Sequence, residues 1–272
     1  MKKAAYKHHY NAWYKNIRVQ QSANNSIIFY LFYRFFYRPK KGTLAELLDV
    51  YSKSIPPPLM VVQVGANDGI THDPIHKFIK RDHWNGVLLE PQKEVFPTLA
   101  RVYHKNKGIT VLNAALDKAD GEKAIYKIGF STARWATGLT TFDKATLEKA
   151  FASGYVARKA AEEGVSVPQE VAERIKCECV QLISPATLLH CYALKKIDLL
   201  QIDTEGYDFE IIKMLDFAII KPELIIFESK HLSTAAKTAC FDYLKANGYQ
   251  LKTFGANTAS LQKGHPLAAM LM

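Results

Sequence analysis

The 272-residue sequence predicts an α/β fold, a mostly parallel Rossmann-like sheet with helices on both faces and a basic helical arm in front of it. Three observations predict it. After residue 58, five apolar strand-like runs alternate with helical patterns, as parallel strands covered on both faces require. The first run, Val61 to Val64, enters a glycine-flanked acidic turn, Gly65-Ala66-Asn67-Asp68-Gly69, the way a doubly wound sheet opens a nucleotide pocket. Each run then ends close to a polar residue at its carboxyl end, where such sheets form their ligand crevice.

The arm comes first. Residues 1–53 carry ten Lys and Arg against Glu46 and Asp49, so +8 of the formal net charge of +10 sits there. Within it, Ser26 to Arg38 is shorter than the roughly 20 apolar residues that span a bilayer. Wound as a helix, it places Ile28, Leu31, Phe32, Phe35 and Phe36 on one face, and Tyr30, Arg34, Tyr37 and Arg38 towards another. Two readings follow. The Phe face packs onto the main domain as a lid, or forms a homo-oligomer seam; alternatively, residues 26–41 lie on a membrane, their cations towards anionic headgroups. Docking is the first reading, because aromatic helical stripes more often belong to a core. Nucleic acid is not expected, since the rings are clustered and not interleaved singly with Lys and Arg. Ile55-Pro56-Pro57-Pro58 cannot continue a helix and divides an arm, residues 1–58, from a domain, residues 59–272.

Cys177, Cys179, Cys191 and Cys240 show neither paired CxxC spacing nor a secretory leader. Disulfides and structural zinc are therefore poor expectations and a reducing cytoplasm fits best, at the inner membrane face if the arm binds lipid.

The glycine turn decides which nucleotide to expect. A dinucleotide fingerprint needs glycine at its first, third and sixth places, and here they hold Gly65, Asn67 and Ile70. Asp68 would repel a diphosphate and suits a cationic ligand such as the sulfonium of S-adenosylmethionine, which points to methyl transfer. Gln63, Gly65, Asn67, Asp68 and Gly69 are the cofactor residues expected from this first strand and turn. His72 follows in Thr71-His72-Asp73-Pro74, a second imidazole near the site on the acceptor side.

The second run, Gly86 to Glu90, places Glu90 where an acid accepts hydrogen bonds from both ribose hydroxyls; Pro91 stops the strand, and a solvated loop acid is the alternative. The third, Ile109 to Ala115, offers Asn113 and Ala114 to the adenine edge, although Asn113 is equally well explained as a turn residue. An insert of roughly residues 126–183 follows. In it Arg134 and Trp135 would give a sugar a bidentate donor and a stacking plane, or Trp135 simply fills a core edge. Lys149 to Arg174 reads as two helices interrupted at Gly164 and Pro168, and Cys177 and Cys179 as packing residues on one face of a strand.

The fourth run, Ile197 to Asp203, ends in more acids than a core strand needs. Asp203 and Glu205 are expected at the methionine part or the acceptor, with Asp208 at the start of the next helix. The fifth, Leu224 to Glu228, continues into Ser229-Lys230-His231. Transfer to a hydroxyl requires removal of its proton, and His titrates near neutral pH, so His231 is the candidate general base, with Glu228 and Asp203 beside it; a plain surface histidine is the alternative. No ligand spacing compels a metal, and none is assigned.

Taken together, Val64-Gly65-Ala66-Asn67-Asp68-Gly69, Glu90-Pro91, Ile202-Asp203-Thr204-Glu205-Gly206-Tyr207-Asp208 and Phe227-Glu228 resemble the FkbM-type S-adenosylmethionine-dependent methyltransferases, over residues 59 to about 255. The resemblance implies a class I methyltransferase sheet of seven strands with an antiparallel last pair, Gln250 to Phe254 and Ala259 to Lys263. It also implies an O-methyltransferase acting on a sugar hydroxyl of a glycan, glycolipid or secondary metabolite. Three rivals stand beside it: a nicotinamide-dependent dehydrogenase, a non-catalytic nucleotide-binding protein and a membrane-surface adaptor.

Overall fold

The computed structural model of the protein describes residues 16–271; residues 1–15, with Lys2, Lys3, Lys7 and Lys15 of the arm, lie outside the described residues. Ten strands follow in chain order: β1 (Met60–Val64), β2 (Asn85–Leu89), β3 (Ile109–Leu112), β4 (Ala115–Leu116), β5 (Gly121–Ile128), β6 (Ile175–Ile183), β7 (Leu199–Ile202), β8 (Leu224–Glu228), β9 (Tyr249–Phe254) and β10 (Asn257–Gln262). Seven form the main sheet in the order β3-β2-β1-β7-β8-β10-β9. β1 pairs in parallel with β2 on one side and β7 on the other, and only the β10 pairings are antiparallel. The order therefore reverses beside β1, and the crevice outside the carboxyl ends of β1 and β7 is the place such a sheet offers to a ligand.

Alternation along each parallel strand divides the core into two layers. Val61, Leu88, Leu199 and Leu224 face Leu48, Tyr51, Phe78 and Trp84, whereas Val62, Leu89, Leu200 and Phe227 face Leu188, Ile212 and Leu244. Burying each such side chain contributes about 1.5–3 kcal/mol, so these runs of paired apolar residues, and not surface ion pairs, dominate what holds the sheet.

The third strand is shorter than the sequence suggests. Asn113 Nδ2 donates to the carbonyls of Glu90 (2.8 Å) and Pro91 (3.1 Å), which ends the ladder with β2. Ala115–Leu116 then leaves for a second sheet, β4-β6-β5. Within that sheet Cys177 and Cys179 share a face of β6 as expected, but the face is the solvent side and both are exposed. Their reading as packing residues is corrected: Val180, on the other face, is the one that is buried. The insert's helices are Lys144–Ala152, Tyr155–Glu162 and Val171–Arg174, the first break falling at Gly154, whose φ of +74° favours glycine.

The arm docks, but not by its Phe face. Residues 16–23 are helical with Val19, Ser22 and Ala23 buried. Lys80 Nζ donates to the carbonyls of Ser22 (2.9 Å) and Val102 (2.6 Å) and to the side chains of Asn25 and Asn106 (2.9 and 2.6 Å). Helix Leu44–Ser54, capped by Thr43, buries Leu47, Leu48 and Tyr51 in the core of β1. Between these anchors, Ile28, Leu31, Phe32, Phe35 and Phe36 are exposed. The packing of that face onto the domain is therefore corrected. The opposite side makes the contacts, through Phe29 on His76, Tyr30 on His83 and Tyr37 on Phe78. No helix among the described residues is long and apolar enough to cross a membrane.

Candidate active site

Two groups of strand tips meet at the switch point. On one side β1 runs into Gly65, whose φ is +81°, and a Cβ there would lie 2.0 Å from the carbonyl oxygen of Asp203. Only glycine lets the turn after β1 approach the tip of β7 this closely. Asn67 also holds a positive φ of +48°, and its N–H donates to Glu90 Oε2 at 2.8 Å, while Gln92 N donates to Glu90 Oε1 at 2.9 Å. Glu90, at the end of β2, is only 2% exposed, and burial pushes its carboxyl up to about 7 despite both amides. Two donors leave a carboxylate with free lone pairs, so Glu90 can still accept hydrogen bonds from a ligand.

A cavity opens over these tips. Of the cofactor residues expected from sequence, Gly65, Asn67, Glu90, Pro91, Ala114 and Asp203 line it. Gln63, Asp68, Gly69 and Asn113 are not among the lining residues; they build the wall behind it. Gln63 Nε2 donates to Gln201 Oε1 (2.7 Å) and Asp73 Oδ2 (3.0 Å) beneath the floor. Asp68 accepts from the backbone of Ile70 (3.1 Å) and Thr71 (2.7 Å) and from the Thr71 hydroxyl (2.8 Å), closing its own turn. Gly69 lies against Leu99 and Tyr103.

Sequence reasoning missed the cavity's other wall. Gln92 Nε2 donates to the carbonyl of Thr137 (3.1 Å), and Gln92 Oε1 accepts from the Thr140 hydroxyl (2.8 Å), which fastens the insert over Glu90. Tyr207 and Phe142 meet edge to face at 5.4 Å, with Lys123 Nζ 4.4 Å from the Phe142 centroid. Gln92 follows Glu90-Pro91 directly and was within reach of the sequence; the aromatic pair joins residues too far apart in the chain.

The tips of β7 and β8 carry the second group. Asp203 Oδ2 lies 3.6 Å from Arg134 Nη2. Glu205 sits in the left-handed region at φ +51°, uncommon for its residue type, and aims its carboxylate at His231. His231 Nε2 is 3.5 Å from Glu205 Oε2 and 3.5 Å from Glu228 Oε1. Asp208 is fully buried and accepts from Thr204 N, the Thr204 hydroxyl and Glu228 N at 2.9 to 3.3 Å, so it ties the two tips together and is more than a helix-start decoration.

Burial, then the neighbouring acids, holds up Glu205, well above its usual range, Glu228, at about 8, and Asp208, at about 6; burial raises Asp203 too, against the pull of Arg134 and His231. Burial, reinforced by Lys230, keeps His231 below its ordinary value and so neutral at neutral pH. One donor atom each from Glu205, Glu228 and His231 lie within 4.8 Å of one another, an arrangement that can accept a proton or face a cation.

Outside this cluster a recess is lined by His72, Arg134, Trp135, Glu205, Glu228 and His231, among others. Every acceptor-side residue expected from sequence borders it except Asp203, which borders the inner cavity that Arg134 and Glu205 share. Trp135 also packs against Phe130 in the insert's small core. Arg134 Nε and Trp135 Nε1 are buried without a hydrogen-bond partner among the described residues.

A family model described as the methyltransferase FkbM domain matches residues 63–251. No curated protein matches the sequence. Among solved structures, a methyltransferase FkbM from Methylobacillus flagellatus KT is similar at 13% identity and a TM-score of 0.45, over 78% of this chain and 47% of that one. A precorrin-6y C5,15-methyltransferase from Geobacter metallireducens GS-15 is similar at 13% identity and a TM-score of 0.38, over 84% and 94%. A Methanococcus jannaschii fibrillarin pre-rRNA processing protein stands at 12% and 0.38, over 77% and 70%.

Proposed function

The chain belongs to the FkbM methyltransferase family, with S-adenosylmethionine as its methyl donor, and from that premise we propose that it methylates a hydroxyl oxygen, that of a sugar in a glycan, glycolipid or secondary metabolite. Membership displaces the dehydrogenase and the non-catalytic readings. One observation carries the choice of oxygen: a neutral imidazole, His231, stands between the carboxyl groups of Glu205 and Glu228 on the rim shared with the outer recess.

The residues present fit the donor. Glu90 has lone pairs for ribose hydroxyls, Pro91 and Ala114 give the cavity apolar wall, and Asp203 and Glu205 bring carboxyl oxygens to where the donor is cationic. When bound, the cofactor supplies an electrophilic methyl group. The chain does the rest. His231 takes the hydroxyl proton on Nδ1, while Nε2 faces the carboxyl oxygens of Glu205 and Glu228 at 3.5 Å, which favour the imidazolium that forms. Arg134 Nε and Trp135 Nε1, buried donors lacking acceptors, support a polyhydroxylated acceptor, since each such group costs about 1–3 kcal/mol until it is paired.

The test is methyl transfer from labelled S-adenosylmethionine to free and lipid-linked sugars, with products analysed by mass spectrometry. An ether methyl on a sugar, lost with His231→Ala, is the expected result. Methylation confined to nitrogen or sulfur acceptors would remove the O-methyl reading.

A further inference from the structure

The methyltransferase site leaves unused the most exposed apolar surface of the molecule. Among the described residues, eight large hydrophobic side chains are exposed, and six of them fall within ten consecutive residues: Ile27, Ile28, Leu31, Phe32, Phe35 and Phe36. Their exposures run from 41% at Leu31 to 74% at Ile28. The segment is a short helix, Ile27–Leu31, that continues through a π-turn, Phe32–Phe36. It does not hang free. Phe29, Tyr30 and Tyr37 hold its other side to His76, His83 and Phe78, and Val19 and Leu48 fix the chain before and after it in the core. The apolar face is thus presented outward from a rigid base.

We propose that Ile27–Phe36 is a membrane-docking surface that seats the enzyme on an anionic lipid bilayer. Charge decides the occupant. Arg38, Lys40 and Lys41 are exposed beside the patch, with Arg34 next to them 3.9 Å from Asp82, and the first 45 residues hold nine Lys and Arg and no acid. A second copy docked face to face would bring two such cationic rims together with no carboxylate from either segment to offset them. An anionic headgroup layer meets the same rim with opposite charge. Ten helical residues reach only about 15 Å, half of a bilayer's hydrocarbon thickness, so the segment lies in the interface plane. Apolar insertion and a basic rim are the two signals that stable peripheral anchoring requires. Tyr30 and Tyr37, amphipathic and half-buried at the base, suit headgroup depth.

Flotation of the full chain with vesicles of phosphatidylcholine alone, or with phosphatidylglycerol admixed, tests this. The wild type should float with the anionic vesicles and far less with the neutral ones. Phe32→Asp with Phe36→Asp should lower partitioning at least about tenfold, since two buried aromatic side chains are lost from the lipid phase. Arg38→Glu, Lys40→Glu and Lys41→Glu together should abolish the preference for anionic lipid. All five positions are exposed, so the variants should melt with the wild type and bind S-adenosylmethionine unchanged, which keeps this result separate from the methyltransferase reading. A wild type that stays soluble with both vesicles, or a Phe variant that floats equally well, overturns the proposal. So does light scattering that reveals a dimer which the Phe pair splits, with no flotation; that outcome assigns the face to a second copy.

Discussion

Glu90 and Asp68, at the tips of β2 and β1, are fully buried, whereas Asp203, Glu205 and Glu228, at the tips of β7 and β8, are half-buried, and the two groups are held in opposite ways. Glu90 and Asp68 accept from backbone amides at 2.7 to 3.1 Å, and their orientations are settled before any ligand arrives. Asp203, Glu205 and Glu228 have instead one another, an arginine at 3.6 Å and an imidazole at 3.5 Å. Burial raises carboxyl pKa values on both sides; what separates them is the supply of donors. Acids with amides shape a pocket. Acids without them keep their capacity for a proton or a cation, which is what a reacting centre needs.

Substitutions can break that contrast, and the largest effect is expected at the acceptor side. His231→Ala should lower kcat by about 10²- to 10⁴-fold, the usual contribution of a general base, with S-adenosylmethionine affinity unchanged. A kcat within a few-fold of wild type in single-turnover assays would return the cluster to a purely electrostatic role. Next comes Glu90→Ala, which removes the acceptor for two amides and for the donor's hydroxyls. It should weaken S-adenosylmethionine binding by about 10- to 100-fold in calorimetry and lower the melting temperature too, because the amides of Asn67 and Gln92 are left buried and unpaired. If binding weakens no more than it does with Glu228→Ala, the division of labour between the two halves is wrong.

The smallest effect sharpens the comparison through pH. Folding raises the Glu228 carboxyl from 4.5 to about 8, so the folded state holds that proton more tightly than the unfolded chain. Its contribution to stability is fully present below pH 4.5 and is lost as pH rises through about 8. Glu228→Gln, neutral throughout, should flatten the fall in melting temperature across this range. An unaltered profile would mean that Glu228 is already ionised and paired in the folded protein.

The main sheet was legible because buried parallel strands read as unbroken apolar runs, and Val61 to Val64 and Leu224 to Glu228 fall where those runs do. Its last antiparallel pair came from family resemblance and not from pattern. The second sheet was hidden. Gly121–Ile128 mixes polar and apolar residues without strict alternation and buries only Ile125 and Ile128, and Cys177 and Cys179 turn outward where their hydrophobicity suggests the reverse. Asn113 illustrates a local limit: its side chain bonds backbone of a neighbouring strand, so no window along the chain marks where β3 stops. The amphipathic arm was readable as such, but which of its faces meets the domain depends on Phe78, His76 and His83 standing beside it in space.

Gln92 has a consequence for how this enzyme can change over time. Its amide clasps Thr137 and Thr140, so the insert is bolted to the donor side of the site, and it reaches the acceptor side through Arg134, 3.6 Å from Asp203. The strand tips act as a fixed floor, sealed by the close approach of Gly65 to Asp203, and the insert as a roof fastened over it. Rebuilding the roof beyond Thr140 alters the doorway that an acceptor meets and leaves the bolt in place. A lineage can therefore exchange clients without relearning its donor, and a designer can graft a new roof onto the same floor.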